Sequence, residues 1–129
     1  MKTRAQCFSQ LAYKHISELQ FDDKQKKLYG SICHQFPIMV LRAGLAQSVA
    51  FLCVKATNDK PAYQKFMGHL SSIIGFENEE FSRFQIRIHN MDLDEYRRTT
   101  RMILNASIWY KRFAESLLDV QAGERGGND

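Results

Sequence analysis

Residues 92–121 read DLDEYRRTTRMILNASIWYKRFAESLLDVQ, and this stretch decides the fold class. It contains neither glycine nor proline, so nothing in it interrupts a helix. Asp92 with Glu95 three residues later is the pattern of a capping box, in which side chains satisfy the first free N–H groups of a helix. We therefore predict one long helix that starts at Asp92 and ends at about Gln121.

Helix starts of the same kind occur nearer the N-terminus. Thr3 with Gln6 is a second capping-box pattern and predicts a first helix over about 3–21. The acidic pair at 22–23 favours the start of a second helix, since carboxylates are stabilised at a helix N-terminus. We expect this second helix to end at about Gln35.

Pro37 suits the first turn of a third helix, because its missing N–H would have no partner there. The sequence from Ile38 to Lys55 is apolar almost all round, which is typical of a helix at the centre of a domain. We therefore expect the third helix to be the most buried element, with Gly44 allowing neighbouring helices to approach closely. Arg42 is a lone cation in this sequence, and it must reach solvent, pair with an acid or meet a ligand.

Two shorter helices are expected between the third and the last. The polar pair at 58–59 ahead of Pro61 would open the fourth helix, and Gly75 would close it in the left-handed conformation. Residues 84–88 alternate between apolar and polar as a strand would, but Asn78 as N-cap, followed by two glutamates, favours a fifth helix.

Six helices with short connections predict one compact all-α bundle with a long C-terminal helix, formed by residues 1–121. The chain has 129 residues, which is enough for one self-sufficient core. Residues 122–129 contain three glycines and are predicted to be a disordered tail.

Charge and cysteine content indicate the partner and the compartment. The net charge is +4, and the last eleven residues are net negative, so the positive charge belongs to the folded part. Such a basic surface favours a polyanionic partner.

Three cysteines without a CxxC pair, and no apolar signal sequence, predict a cytoplasmic protein. We predict no membrane segment, because the one long apolar run, 37–54, is short and contains Arg42 and Gln47.

The long helix has two apolar faces and one basic face when successive residues are placed about 100° apart. The first apolar face consists of Leu93, Tyr96, Thr100, Ile103, Ser107, Tyr110, Ala114 and Leu117, and the second of Met102, Ala106, Trp109 and Phe113. We expect both to pack in the core, although the second could instead contact another chain. The remaining sector carries Arg97, Arg98, Arg101, Asn105 and Arg112, together with Asp94, Glu115 and Asp119, so it is basic mainly in its first half and middle. A charged helix face is usually only solvated, but guanidinium groups donate paired hydrogen bonds to phosphate, so the sector is also a candidate phosphate-binding ridge.

The sequence offers no constellation for catalysis or metal binding. The four histidines, at positions 15, 34, 69 and 89, lie on four different predicted helices and show no HExxH spacing. There is no glycine-rich phosphate loop and no nucleophile elbow. We therefore expect no catalytic residue, no metal site and no cofactor, and an all-helical metal or redox enzyme is only the third hypothesis.

Several unusual strings carry a resemblance to a known family. They are Thr3-Arg4-Ala5, Leu28-Tyr29-Gly30, Gly44-Leu45-Ala46-Gln47 after Pro37, Ala50-Phe51-Leu52, Tyr96-Arg97-Arg98, and Trp109-Tyr110-Lys111-Arg112-Phe113-Ala114-Glu115. In this order and spacing the sequence resembles the small helical subunit of the Cmr complex, the type III-B CRISPR effector that cleaves RNA under the direction of a guide RNA. The resemblance spans about 3–118 and is loose over 56–91.

The resemblance implies a non-catalytic subunit of a ribonucleoprotein effector for antiviral RNA silencing. Such a subunit stacks in several copies, contacts other Cmr subunits, and lies beside the guide and target RNA, while other subunits carry the chemistry. It would hold the RNA backbone by shape and charge rather than by reading bases. The candidate RNA-binding residues are Arg42, Arg97, Arg98, Arg101, Lys111 and Arg112. Trp109 is expected to pack rather than to stack on a base.

The main alternative is a small basic helical DNA-binding regulator, since a basic helix can also lie in the major groove of DNA. The sequence lacks a convincing helix-turn-helix spacing, and its basic helix is longer than a usual recognition helix.

Overall fold

The structure is a computed structural model that describes residues 1–58, 60–75 and 81–121. Six helices follow one another along the chain: α1 (Arg4–Ser17), α2 (Asp23–Ala43), α3 (Leu45–Thr57), α4 (Pro61–Ile73), α5 (Phe81–His89) and α6 (Leu93–Leu117). The described residues form no strand, so the predicted all-α bundle with a long C-terminal helix is confirmed. The predicted tail at 122–129 and the predicted cap of α5 at 78–80 lie outside the described residues.

The predicted starts of α1, α2 and α6 are confirmed, and each is capped by the side chain of its own N-cap residue. The Thr3 hydroxyl accepts a hydrogen bond from the Gln6 N–H (3.1 Å), and the Gln6 side chain accepts one from the Thr3 N–H (2.8 Å), which completes the capping box of α1. Asp22 caps α2 and Asp92 caps α6, each through a hydrogen bond of 2.8 Å from a backbone N–H three residues later. Helix α4 begins at Pro61 without a cap from its own N-cap residue, Lys60, and the Ala62 N–H instead donates to the Gln25 side chain of α2 (3.3 Å). The expected cap is therefore wrong at Asn58, which ends α3 instead.

The predicted boundary between the second and third helices is wrong. Pro37 lies inside α2, which continues to Ala43. Phe36 and Val40 on either side of the proline are buried, and we attribute the unbroken helix to this packing, which outweighs the hydrogen bond that proline removes. The chain turns only at Gly44, whose φ of 88° and ψ of 163° are open to glycine and to almost no other residue.

The third helix is also less buried than its composition predicts. Phe51 and Val54 of α3 are exposed, as are Ile38 and Leu41 in the last turns of α2, with Leu41 73% exposed. Only one side of α3 is buried in the core, through residues such as Leu45 and Leu52. The helix lies at the edge of the bundle, against α2, α4 and α5. Helix α4, with seven of its thirteen residues buried, is more enclosed.

Helix α6 is the longest helix and packs against three of the others. It packs against α1 along much of its length and against α2 and α4. Its buried residues are Thr99, Ile103, Ala106, Ser107, Tyr110 and Ala114, whereas Leu93 and Leu117, which were expected to share this face, are exposed at its two ends.

Helix α6 ends at Leu117, four residues before the predicted end. The residues that follow it turn back onto α2. Asp119 takes a left-handed conformation with φ of 56°, and the Val120 N–H donates a hydrogen bond to the Ala114 carbonyl (3.0 Å). This turn brings the buried Val120 side chain against Gly30. The Val120 carbonyl accepts a hydrogen bond from Nε2 of the buried His34 (2.9 Å).

Two further predictions have definite outcomes. Gly75 follows α4 with a left-handed φ of 83°, as expected. Residues 84–88 lie within α5, so the helical interpretation is confirmed and the strand is excluded. Within the described part of the chain, no helix combines the length and the apolar character that crossing a membrane requires.

Candidate nucleic-acid interface

The four arginines predicted for the basic face of α6 all lie in solvent. Arg97, Arg98, Arg101 and Arg112 are exposed, on the side of the helix opposite the buried Ile103 and Tyr110. We call these four residues the α6 strip. Among the described residues, no acidic group lies within ion-pair distance of them. With respect to the described residues, their hydrogen-bonding groups are therefore open to a ligand.

The other two candidate residues lie apart from the strip. Lys111 is half-buried and lies about 40° around α6 from Arg97, on the flank away from α1. Arg42 is exposed in the last turn of α2, where a cation is stabilised by the helix dipole. The junction that follows Arg42 is held against α6, because the Ala46 N–H donates a hydrogen bond to the Tyr96 hydroxyl (3.0 Å). The structure thus brings the backbone near Arg42 to the first turns of α6.

A cleft on the α1 side of α6 contains a cation that was not among the predicted binding residues. Arg4, in the first turn of α1, lines a cavity of about 480 Å³ together with Arg98 and Arg101 of the α6 strip. Ile74 and Met91 form part of its apolar wall. No sequence pattern links position 4 to position 98, so only the packing of α1 along α6 reveals this grouping.

A second cavity, of about 290 Å³, adjoins the first and also has Arg4 in its lining. Phe8 of α1 and Ile108 and Trp109 of α6 line it. Trp109 is half-buried and its ring lies 6.1 Å from that of Phe113, which confirms that it packs against its helix neighbours. We refer to the two cavities together as the α1/α6 groove.

The core contains a polar cluster that the sequence did not predict, because its members lie on four helices. The rings of His15 and His69 stack with centroids 3.9 Å apart and planes within 5° of parallel. Nδ1 of His15 is hydrogen-bonded to the Tyr110 hydroxyl (2.6 Å), and Nδ1 of His69 to the Tyr29 hydroxyl (2.6 Å). The cluster therefore links α1, α4, α6 and α2.

Burial keeps this cluster uncharged at neutral pH. Burial, together with the positive charges of Lys14 and Lys65, lowers the pKa of His15 from 6.5 to about 4. Burial, with His15 and Lys65 adding to the effect, lowers the pKa of His69 from 6.5 to about 3. Burial also raises the pKa of Tyr29, Tyr110 and Cys33. A neutral stacked pair of this kind stabilises the core, and its buried tyrosine and thiol groups stay protonated.

The described residues contain no group of three histidine, cysteine or acidic side chains placed to hold a metal ion. Cys7 is exposed, Cys33 and Cys53 are buried, and no disulfide joins any of the three.

Comparison with known proteins identifies the family. The pattern of the family described as CRISPR-associated protein (Cas_Cmr5) matches residues 4–117, from the first residue of α1 to the last residue of α6. The chain belongs to this family. The resemblance noted in the sequence is thereby confirmed.

Relatives of this Cas_Cmr5 chain match it over nearly their whole length. A protein of Thermus thermophilus named CRISPR system Cmr subunit Cmr5 is 29% identical over 119 residues, which are 92% of this chain and 99% of the relative. The crystal structure of a CRISPR-associated Cmr5 family protein, also from Thermus thermophilus, matches with a TM-score of 0.72 and 28% identity, covering 91% of this chain and 98% of that chain.

The Cas_Cmr5 match includes Arg4 and all six candidate RNA-binding residues, since each lies within 4–117. It favours the CRISPR hypothesis over a DNA-binding regulator.

Proposed function

We propose that the chain is the non-catalytic small subunit of a cytoplasmic type III-B CRISPR (Cmr) effector. It stacks in several copies, contacts other Cmr subunits, and holds the backbone of guide or target RNA in antiviral RNA silencing. The observation that carries this proposal is the family match over 4–117, supported by a relative named as a Cmr subunit.

The α6 strip supports the part of the proposal that concerns RNA. Its four guanidinium groups are exposed on one helix, and they span about 22 Å along the axis from Arg97 to Arg112 at 1.5 Å per residue. Guanidinium groups match phosphate geometry and stay charged at every physiological pH. A convex basic ridge can follow a sugar-phosphate backbone without reading base edges.

Exposed apolar side chains support the part that concerns stacking. Ile38 and Leu41 of α2 and Phe51 and Val54 of α3 are all exposed on consecutive helices that meet at Gly44. Each pair is three residues apart and so shares one face of its helix, and exposed apolar faces are typical of protein–protein contacts. We therefore place contacts with other subunits or further copies at the α2/α3 end of the bundle.

A single copy should bind RNA weakly and without sequence preference, because it offers few phosphate contacts. Copies assembled along one strand act together, and such linkage raises avidity by about a hundredfold or more when the geometry allows. Tight and sequence-specific binding by the isolated chain at physiological salt would contradict this expectation.

Purification through a tag on this chain tests the assignment. We expect a guide RNA and several larger proteins to be recovered with it, in amounts that indicate more than one copy of the tagged chain. Recovery of the chain alone, from cells that express the remaining subunits, would overturn the proposed function.

Variants of the candidate cations test the RNA contact in the reconstituted complex. Replacement by alanine, one at a time, should weaken RNA binding and lower the salt slope by about 0.7 to 0.9 for each phosphate interaction removed, at unchanged melting temperature. The variants are Arg42→Ala, Arg97→Ala, Arg98→Ala, Arg101→Ala, Lys111→Ala and Arg112→Ala. Lys26→Ala and Lys27→Ala are controls that should have less effect. A flat response across all six would reduce the strip to a solvated face.

A further inference from the structure

The α1/α6 groove gathers positive charge in a concave site rather than on a convex ridge. Arg4 of α1 and Arg98 and Arg101 of α6 line the same cavity of about 480 Å³. None of the three guanidinium groups has a described acidic partner within ion-pair distance. Three positive charges line this cavity against one described carboxylate, that of Glu95, so the described lining is net positive and favours a bound anion.

The position of Arg4 strengthens the positive potential in the groove. The first turn of α1 contains no acidic residue, and Arg4 is its first helical residue. The N-terminus of a helix carries partial positive charge, which disfavours a cation and favours an anion. Arg4 therefore adds to the same potential as the helix end on which it lies.

The groove also offers surfaces for an apolar, flat group next to the charges. Ile74, Met91 and Met102 line the larger cavity, and Ile108 and Trp109 line the smaller one. Arg98 and Trp109 lie on nearly the same side of α6, about 16 Å apart along the helix axis. Charge at one end and an aromatic ring at the other are the two elements by which proteins hold single-stranded nucleic acid.

From this geometry we infer that the α1/α6 groove binds a segment of single-stranded RNA, with phosphate between Arg4, Arg98 and Arg101 and a base against the side of Trp109 that lines the smaller cavity. This departs from the expectation that Trp109 only packs, since the half-buried ring both contacts Phe113 and lines the cavity. The inference rests on the proposed function for the identity of the ligand as RNA. It assigns the contact to one flank of α6 and adds Arg4 to the binding residues. A double helix keeps its bases paired and stacked, whereas a single strand can place a base against Trp109, so we expect the groove to favour a single strand.

Glu95 sets the direction of the arrangement. It lines the larger cavity, and with Met91 it also lines a neighbouring one beside Asn90 and Asp92. The acidic end of the groove therefore lies near the start of α6, and phosphate is held away from Glu95, between Arg4, Arg98 and Arg101. Removing the Glu95 charge should strengthen the binding of RNA.

Trp109 provides a direct readout, because it is the only tryptophan in the chain. Titration of the isolated protein with oligouridine at low salt should quench its fluorescence to saturation, since a base would lie against the indole. Duplex DNA at the same phosphate concentration should leave the fluorescence unchanged. Saturable RNA binding without quenching, equal quenching by duplex DNA, or no binding at low salt would each overturn the inference.

Two adjacent arginines form a matched pair that distinguishes RNA binding in the groove from RNA binding along the exposed α6 strip. Arg97 and Arg98 are both exposed on the same turn of α6, but only Arg98 lines the groove. Arg98→Gln and Arg4→Gln should weaken oligouridine binding roughly three- to tenfold, measured by anisotropy of labelled RNA, whereas Arg97→Gln should have a smaller effect. Glu95→Gln should strengthen binding by about threefold.

Equal losses for Arg97→Gln and Arg98→Gln, with no effect of Arg4→Gln, would show that RNA follows the outer ridge. That result would overturn the groove assignment and leave the proposed function intact. The proposed function fails by a separate measurement, the absence of RNA and of larger proteins from the tagged complex.

Discussion

At the scale of single residues, Gly30 shows how closely α2 and the end of the chain are packed. A Cβ on residue 30 would lie 2.6 Å from Cβ and from Cγ2 of Val120. Val120 cannot move aside freely, because its N–H and its carbonyl are both hydrogen-bonded, to Ala114 and His34. The glycine that the fold needs for close approach is therefore Gly30, and not Gly44 as the sequence suggested.

Gly30→Ala should lower the free energy of unfolding by about 1 to 3 kcal/mol through overpacking, measured by urea denaturation. Gly68→Ala is the matched control, since Gly68 also lies inside a helix but has no atom within 4 Å of an added Cβ. There the alanine should stabilise by about 0.5 to 1 kcal/mol. Stabilisation at both positions would show that the Val120 segment is easily displaced.

At the scale of helices, Gly44 divides one continuous apolar stretch into α2 and α3. Its φ of 88° lies in a region that costs a residue with a side chain about 1 to 3 kcal/mol. The atom within 4 Å of an added Cβ is the Tyr96 hydroxyl oxygen, at 3.3 Å, at the end of its side chain. The backbone conformation, and not lack of space, therefore requires glycine.

Gly44→Ala should accordingly lose about 1 to 3 kcal/mol of stability, most of the loss that Gly44→Leu causes. Overpacking would instead make alanine nearly harmless and leucine much worse. Denaturation midpoints of the two variants, measured side by side, distinguish the explanations, and a neutral Gly44→Ala would contradict backbone strain.

At the scale of the whole molecule, the His15–His69 cluster makes the bundle sensitive to acid. Both histidines have folded pKa values below 6.5, so the unfolded chain binds more protons once the pH falls below that value. The stability that the two neutral histidines contribute is fully present above about pH 6.5. It is lost as the pH falls toward their folded pKa values. His69 alone should contribute a loss of about 2 kcal/mol at pH 5, and the more exposed His15 a smaller one.

Melting temperatures of the wild-type protein should therefore fall between pH 7 and pH 5. His69→Gln keeps a hydrogen-bonding group near Tyr29 but cannot titrate, so its melting temperature should depend less on pH. His89→Gln is the control, because His89 is exposed and should leave the dependence unchanged. Identical pH profiles for His69→Gln and the wild type would exclude the cluster as the cause.

The amino-acid sequence by itself determined the all-helical class, the caps at Thr3, Asp22 and Asp92, and the exposed face of α6. These features depend on residues no more than fifteen positions apart, whose relation a helix fixes without help from the rest of the chain. The strings of residues also sufficed to recognise the family.

Only the tertiary structure decided where α2 ends, which glycine is in close contact, and which cations share a cleft. Pro37 is a helix start by local rules, yet burial of its neighbours carries α2 past it. His15 is hydrogen-bonded to Tyr110 across 95 positions, and Arg4 and Arg98 line one cavity because α1 packs on α6. Such pairs form because separate apolar faces are buried against one another, and the periodicity of each helix does not specify its partner.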